Sequence, residues 1–288
     1  MDWQSLSQKA LDAAYDQAVY APNMPEVLAR LSMQSQDARK TLGQPRRLFY
    51  GEKTVEAIDF YPSSNLQNPT MIFIHGGSWQ VGHAVDNAFA APAVVNAGFH
   101  FAVPDFSPVD DFGGDLRGMI KQLKATVAYL YRYMQDQDGN PHDFFLCGFS
   151  SGAHLAGVLL TEDWSDLGIT EYPFKGALLC SGMYELTPVS RSFRREFVTL
   201  NESNIAALSP QHNLEKILCP VSVVYGADES PEFQRQGYEF IGALKRSGKD
   251  VSELVAEGLN HFEIIETLGS MDSKLFKLLL DLKTLQSD

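Results

Sequence analysis

Phe144-Phe145-Leu146-Cys147 is a short apolar run that leads without a break into Gly148-Phe149-Ser150-Ser151-Gly152 and then into mostly small, apolar residues as far as Leu160. That order reads as a buried strand, a sharp turn and a helix. Few sequences can make such a turn. Strand and helix must pack so closely that the residues two before and two after the apex carry little or no side chain, a condition Gly148 and Gly152 meet. The apex, Ser150, is expected at positive φ. Its hydroxyl would be lifted above the sheet edge, with the Ser151 amide aimed at the same point beside the positive end of the helix. Gly-x-Ser-x-Gly by itself is a weak pattern, and its strand-to-helix context is what makes it a candidate nucleophile elbow. Such an elbow then constrains everything else. It needs a parallel sheet, and it needs a carboxylate, a histidine and an oxyanion hole supplied from other parts of the chain.

The sheet is legible. Residues 48–51 and 57–62 read as a hairpin at a sheet edge. Residues 70–79 form a buried strand running straight into glycines, and 99–103, 144–147, 174–181, 220–225 and 251–256 bring the count to eight. Residues 114–134 place Leu116, Ile120, Leu123, Val127, Leu130 and Tyr131 at helical spacing, and closing helices are expected over 261–268 and 273–285. Strands alternating with helices imply an α/β fold with a mostly parallel, doubly wound sheet. Residues 1–45 precede the strands and read as an N-terminal helical extension, with helices over 6–20 and 24–42 broken near Pro22-Asn23. Residues 183–218, the longest stretch without a strand, read as a short helical cap. Residues 1–288 are expected to form one domain.

Of seven histidines, His261 lies on the loop after the last strand, where the order nucleophile, acid, histidine places a base. An imidazole titrating near pH 6.5 can take the Ser150 proton and return it to a leaving group. The acid is expected in Gly226-Ala227-Asp228-Glu229-Ser230-Pro231, which offers two adjacent carboxylates. Neighbours in a turn point different ways. Glu229, three after the glycine, is preferred, and Asp228 stays as the alternative; the loser is expected to cap the helix starting near Pro231. In His75-Gly76-Gly77-Ser78-Trp79 the glycines leave amides uncovered. Gly76 and Gly77, with Ser151, are the expected oxyanion hole, and Ser78 could replace one of them. His75 reads as a structural hydrogen-bonder, His154 as facing away from the nucleophile, and Trp79 as a wall of the substrate pocket.

Composition removes other classes. A net charge of −13 with no basic stripe argues against nucleic acid and anionic membrane as partners. Cys147, Cys180 and Cys219 lie far apart beside apolar runs and read as buried reduced thiols of a reducing compartment. Histidines and carboxylates do not share metal spacing, and Gly113-Gly114 is not followed by a phosphate-cradle pattern, so neither metal nor cofactor is expected. The first residues lack a basic-then-apolar leader, and no apolar run approaches the ~18 residues of a membrane span. The expectation is a cytoplasmic protein acting on a small molecule. A homodimer is compatible with the sequence, which does not fix the oligomeric state.

With these residues in place the chain resembles the α/β-hydrolase superfamily, within it the esterase/lipase group with an HGG motif, and most closely the kynurenine formamidase (arylformamidase) branch. The features are Leu11-Asp12-Ala13-Ala14-Tyr15-Asp16, His75-Gly76-Gly77-Ser78-Trp79, Gly148-Phe149-Ser150-Ser151-Gly152-Ala153-His154, and Glu229-Ser230-Pro231-Glu232-Phe233 followed by His261-Phe262. The resemblance spans nearly the whole chain. It implies Ser150 as nucleophile, His261 as base and the carboxylate at 229 as acid, where many relatives carry aspartate. It implies cleavage of N-formyl-kynurenine to kynurenine and formate, or of aryl amides and esters, with Trp79, Phe149, Tyr184 and Phe262 around the aryl ring. A broad short-chain carboxylesterase is the alternative, and a non-catalytic binding protein on the same fold a remote one.

Overall fold

The computed structural model describes residues 3–285. Eight strands form one sheet: β1 (Arg46–Phe49), β2 (Ala57–Tyr61), β3 (Thr70–Ile74), β4 (His100–Pro104), β5 (Phe144–Phe149), β6 (Phe174–Cys180), β7 (Val221–Gly226) and β8 (Val251–Ala256). Their spatial order is β1-β2-β4-β3-β5-β6-β7-β8. β1 and β2 pair antiparallel, β2 meets β4 antiparallel, and the remaining pairings are parallel. Both faces of a parallel sheet are covered by helices, which is why β3, β4 and β5 are buried along their whole length. Alternation still sorts the side chains. Ile72 and Ile74 join the core on one face, and Met71 and Phe73 join the core on the other.

The helices are α1 (Gln8–Ala14), α2 (Met24–Leu42), α3 (Ala91–Asn96), α4 (Leu116–Asp136), α5 (Ser151–Leu159), α6 (Glu202–Leu208), α7 (Pro231–Arg246), α8 (His261–Glu266) and α9 (Lys274–Thr284). α4 starts where the Asp115 carboxylate accepts from the Arg117 amide, and it buries Leu116, Ile120, Leu123, Val127 and Leu130. None of the helices among the described residues is long and apolar enough to cross a membrane. The expected single helix over 6–20 is in fact two pieces. α1 ends at Ala14, Tyr15 turns into the core, and the Asp16 carboxylate caps a 3-10 turn, Gln17–Val19. α3 was not expected: six residues with a proline in the first turn leave little periodicity to read. Segment 183–218 holds α6 and short 3-10 turns. Leu208 and Pro210 of this segment pack on α5, and Gln236 of α7 holds the Tyr184 and Glu185 amides.

Candidate active site

β5 delivers Ser150 to the C-terminal edge of the sheet, at φ 56° and ψ −122°, a region that side chains other than glycine rarely occupy. Packing holds it there. A Cβ at residue 152 would lie 2.1 Å from the Ile74 carbonyl oxygen, and one at 148 would lie 2.6 Å from the Ala153 Cα. The glycines are therefore the condition for β3, β5 and α5 to converge under the serine.

Ser150 Oγ lies 2.9 Å from His261 Nε2, and His261 Nδ1 lies 2.8 Å from Glu229 Oε2. His261 opens α8, whose Asn260 cap accepts from the Phe262 and Glu263 amides while the Glu263 side chain accepts from the Asn260 amide. This capping box fixes where the imidazole starts. Glu229 Oε1 accepts from the Gly226 amide at 2.7 Å and the Ser181 hydroxyl at 2.5 Å. With the Gly226 amide and the Ser181 hydroxyl both directed at Oε1, Oε2 is left to accept from an N–H on His261 Nδ1, the tautomer in which Nε2 can accept from Ser150. Asp228 is exposed, and the carboxylate on the imidazole is that of Glu229. Asp228 does not cap α7 either; the Ser230 hydroxyl does, accepting from the Phe233 amide.

The loop after β3 is bent at positive φ at Gly77 (125°), Ser78 (56°) and Trp79 (64°). The amides of Gly76, Gly77, Ser78 and Ser151 donate to no acceptor among the described residues, whereas the Trp79 amide is taken by Ser151 Oγ at 3.2 Å. A Cβ at residue 76 would lie 3.1 Å from the Ser150 Cβ, so this loop runs directly beside the serine. His75 Nδ1 donates to the Gly76 carbonyl, and its ring stacks on Phe106 at 4.5 Å. His154 lies inside α5, accepting from the Trp79 indole and donating to the Leu208 carbonyl; burial lowers its pKa to about 4.

Two of the four aromatic candidates reach the site. Phe149 and Phe262 each pack 5.0 Å from the His261 ring, joined by Phe233 at 4.9 Å. Tyr184 does not: it is fully buried, stacked on Phe240 at 4.1 Å, and belongs to the core between α5 and α7. Trp79 turns its indole inward onto His154, so what it presents to the site is main chain. Sequence reasoning missed Ser181, which has no local signal. It also missed the way the N-terminal segment docks on the turn of the acid. Gln17 and Ser230 exchange hydrogen bonds, Ser230 donates to the Ala14 carbonyl at 2.6 Å, and Tyr15 donates to the buried Glu232 at 3.0 Å.

A parallel sheet with a strained serine at the end of β5 and an HGG loop beside it defines a hydrolase of the α/β-hydrolase class. Residues 58–169 match the family model described as BD-FAE. Among solved structures, a putative thioesterase from Silicibacter sp. superposes with a TM-score of 0.81 at 21% identity, covering 94% of this chain and 98% of that one. Esterase B from Lactobacillus rhamnosis superposes with a TM-score of 0.71 at 16% identity, covering 93% and 97%. The kynurenine formamidase of Danio rerio is 30% identical over 292 residues, 97% of this chain and 97% of that protein. That of Salmo salar is 31% identical, covering 80% and 79%. The chain belongs to the kynurenine formamidase family.

Proposed function

We propose that this protein is a serine hydrolase that cleaves a small aryl formamide, amide or ester through an acyl-enzyme. Ser150 Oγ attacks the carbonyl carbon as its proton passes to His261 Nε2, and the carbonyl oxygen becomes an alkoxide received by the Ser151 amide and by those of Gly76 and Gly77 or Ser78. The C–N or C–O bond then breaks, and the imidazolium gives its proton to the departing amine or alcohol. Water, deprotonated by the same imidazole, releases the acid and restores Ser150. Glu229 keeps the imidazole in the required tautomer and stabilises its charged form. The observation that carries this reading is the relay Glu229–His261–Ser150, with contacts of 2.8 and 2.9 Å.

N-Formyl-kynurenine is the favoured substrate because of the family. A short-chain carboxylesterase is the second reading, supported by the resemblance to an isoprenylcysteine alpha-carbonyl methylesterase of Arabidopsis thaliana, 21% identical. The test compares purified protein on N-formyl-kynurenine and on 4-nitrophenyl acetate. Ser150→Ala should lose at least ~10⁴-fold in kcat on either while keeping its circular dichroism spectrum. Turnover that survives in Ser150→Ala would sink the mechanism. A kcat/KM higher on the ester than on the formamide would favour the second reading.

A further inference from the structure

Arg194 is a buried charge with no part in the reaction drawn above. It lies in the 3-10 turn Phe193–Glu196 and is 4% exposed. Its guanidinium sits over the Trp79 ring at 5.5 Å and over the Phe193 ring at 5.4 Å. One hydrogen bond is made, from Nη2 to the Tyr15 carbonyl at 2.9 Å, while Nε and Nη1 are buried without an acceptor. Other arginines of this chain are neutralised: Arg235 by Glu232 and Glu239, Arg47 by Asp59 and Asp105. Among the described residues no carboxylate lies within ion-pair distance of Arg194. Asp16 is near enough to be felt electrostatically, but its carboxylate is committed to the Ala18 amide. An unpaired ion in the interior is costly to a fold, and this one stays cationic at neutral pH, its pKa brought down by burial only to about 10.

Its place is informative. On one side Trp79, under the guanidinium, belongs to the HGG loop and bonds Ser151, the neighbour of the nucleophile. On the other, Tyr15 packs edge-on to Phe233 at 6.1 Å, and Phe233 packs on His261. The guanidinium is thus one side chain removed from the HGG loop, through Trp79, and two from the imidazole, through Tyr15 and Phe233. It has five N–H groups and uses one. Whichever Nη2 hydrogen faces Tyr15, the other aligns with Nε–H or with an Nη1 hydrogen, leaving a complete two-pronged fork for a carboxylate.

We infer that Arg194 is a recognition site for a carboxylate carried by the substrate at the end remote from the scissile bond. This rests on the reading that substrate is held at Ser150. N-Formyl-kynurenine carries such a group at the end of its aryl-ketone chain; a simple formanilide or acetate ester does not. The competing account makes Arg194 a clasp that ties the 183–218 segment to the N-terminal extension and nothing more.

Calorimetric binding of 4-oxo-4-phenylbutanoate and of its methyl ester to the full chain separates the two, with no need for turnover. The acid should bind roughly 10- to 100-fold more tightly than the ester. In Arg194→Met that ratio should fall to near one, and in Arg194→Lys, which keeps the charge and loses the fork, to an intermediate value. Equal binding of acid and ester to the unaltered protein, no binding of either, or a preference that persists in Arg194→Met would each overturn the inference. The first two need no variant, so a misfolded Arg194→Met leaves the test decisive. Loss of the serine mechanism would show separately, in Ser150→Ala.

Discussion

Glu229 is nearly saturated with donors: His261 on one oxygen, Ser181 and the Gly226 amide on the other. Glu229→Gln replaces one acceptor oxygen with a donor and turns the imidazole toward the wrong tautomer. We expect kcat to fall ~10²- to 10⁴-fold, against less than about threefold for Asp228→Asn; the reverse order in steady-state assays would reassign the acid. Ser181→Ala leaves Glu229 with one donor fewer, and a loss of roughly tenfold is expected. At this scale the sequence could be read only in part. Order along the chain singles out Ser150 and His261, because few residues of the right type fall in the right loops. Asp228 and Glu229 are adjacent and alike, and burial separates them, which depends on how the turn is folded. Tyr184 misleads for a related reason, since an aromatic near a site in sequence serves a core as readily as a pocket.

The elements depend on one another most at the elbow. Gly152→Ala places a methyl against the Ile74 and His75 carbonyl oxygens, neither of which can retreat without moving β3. A cost of at least ~2 kcal/mol is expected, read as a lowered urea midpoint at unchanged slope; a midpoint equal to that of the parent protein would mean that α5 is free to shift. The central strands were legible as apolar runs bounded by turn residues; the edge strand β1, expected over 48–51, begins two residues earlier with Arg46-Arg47 and is mostly exposed, so hydrophobicity does not mark its start. The short α3 and the break at Tyr15 were not, because both answer to tertiary contacts: α3 to the core beneath it, Tyr15 to Glu232 and Gln236 far along the chain.

For the molecule as a whole, three histidines are kept uncharged by burial: His75, His100 and His154, the last with a pKa lowered from 6.5 to about 4. The unfolded chain takes up these protons near pH 6.5 and the folded chain resists until lower pH. The stability they contribute is present above pH 6.5 and lost as pH falls toward 4. For His154 alone the full span is about 3 kcal/mol. The drop in Tm between about pH 7 and pH 4.5 should therefore be smaller in His154→Leu than in the parent protein; an equal drop in both would remove His154 from the account. One contact described above reaches further. Ser230, next to the acid, binds the carbonyl of Ala14 across 216 residues of chain. A nascent polypeptide leaving the ribosome must hold the end of its first helix without this partner until seven of eight strands have emerged, so competence should arrive late and all at once, with slow refolding as its mark.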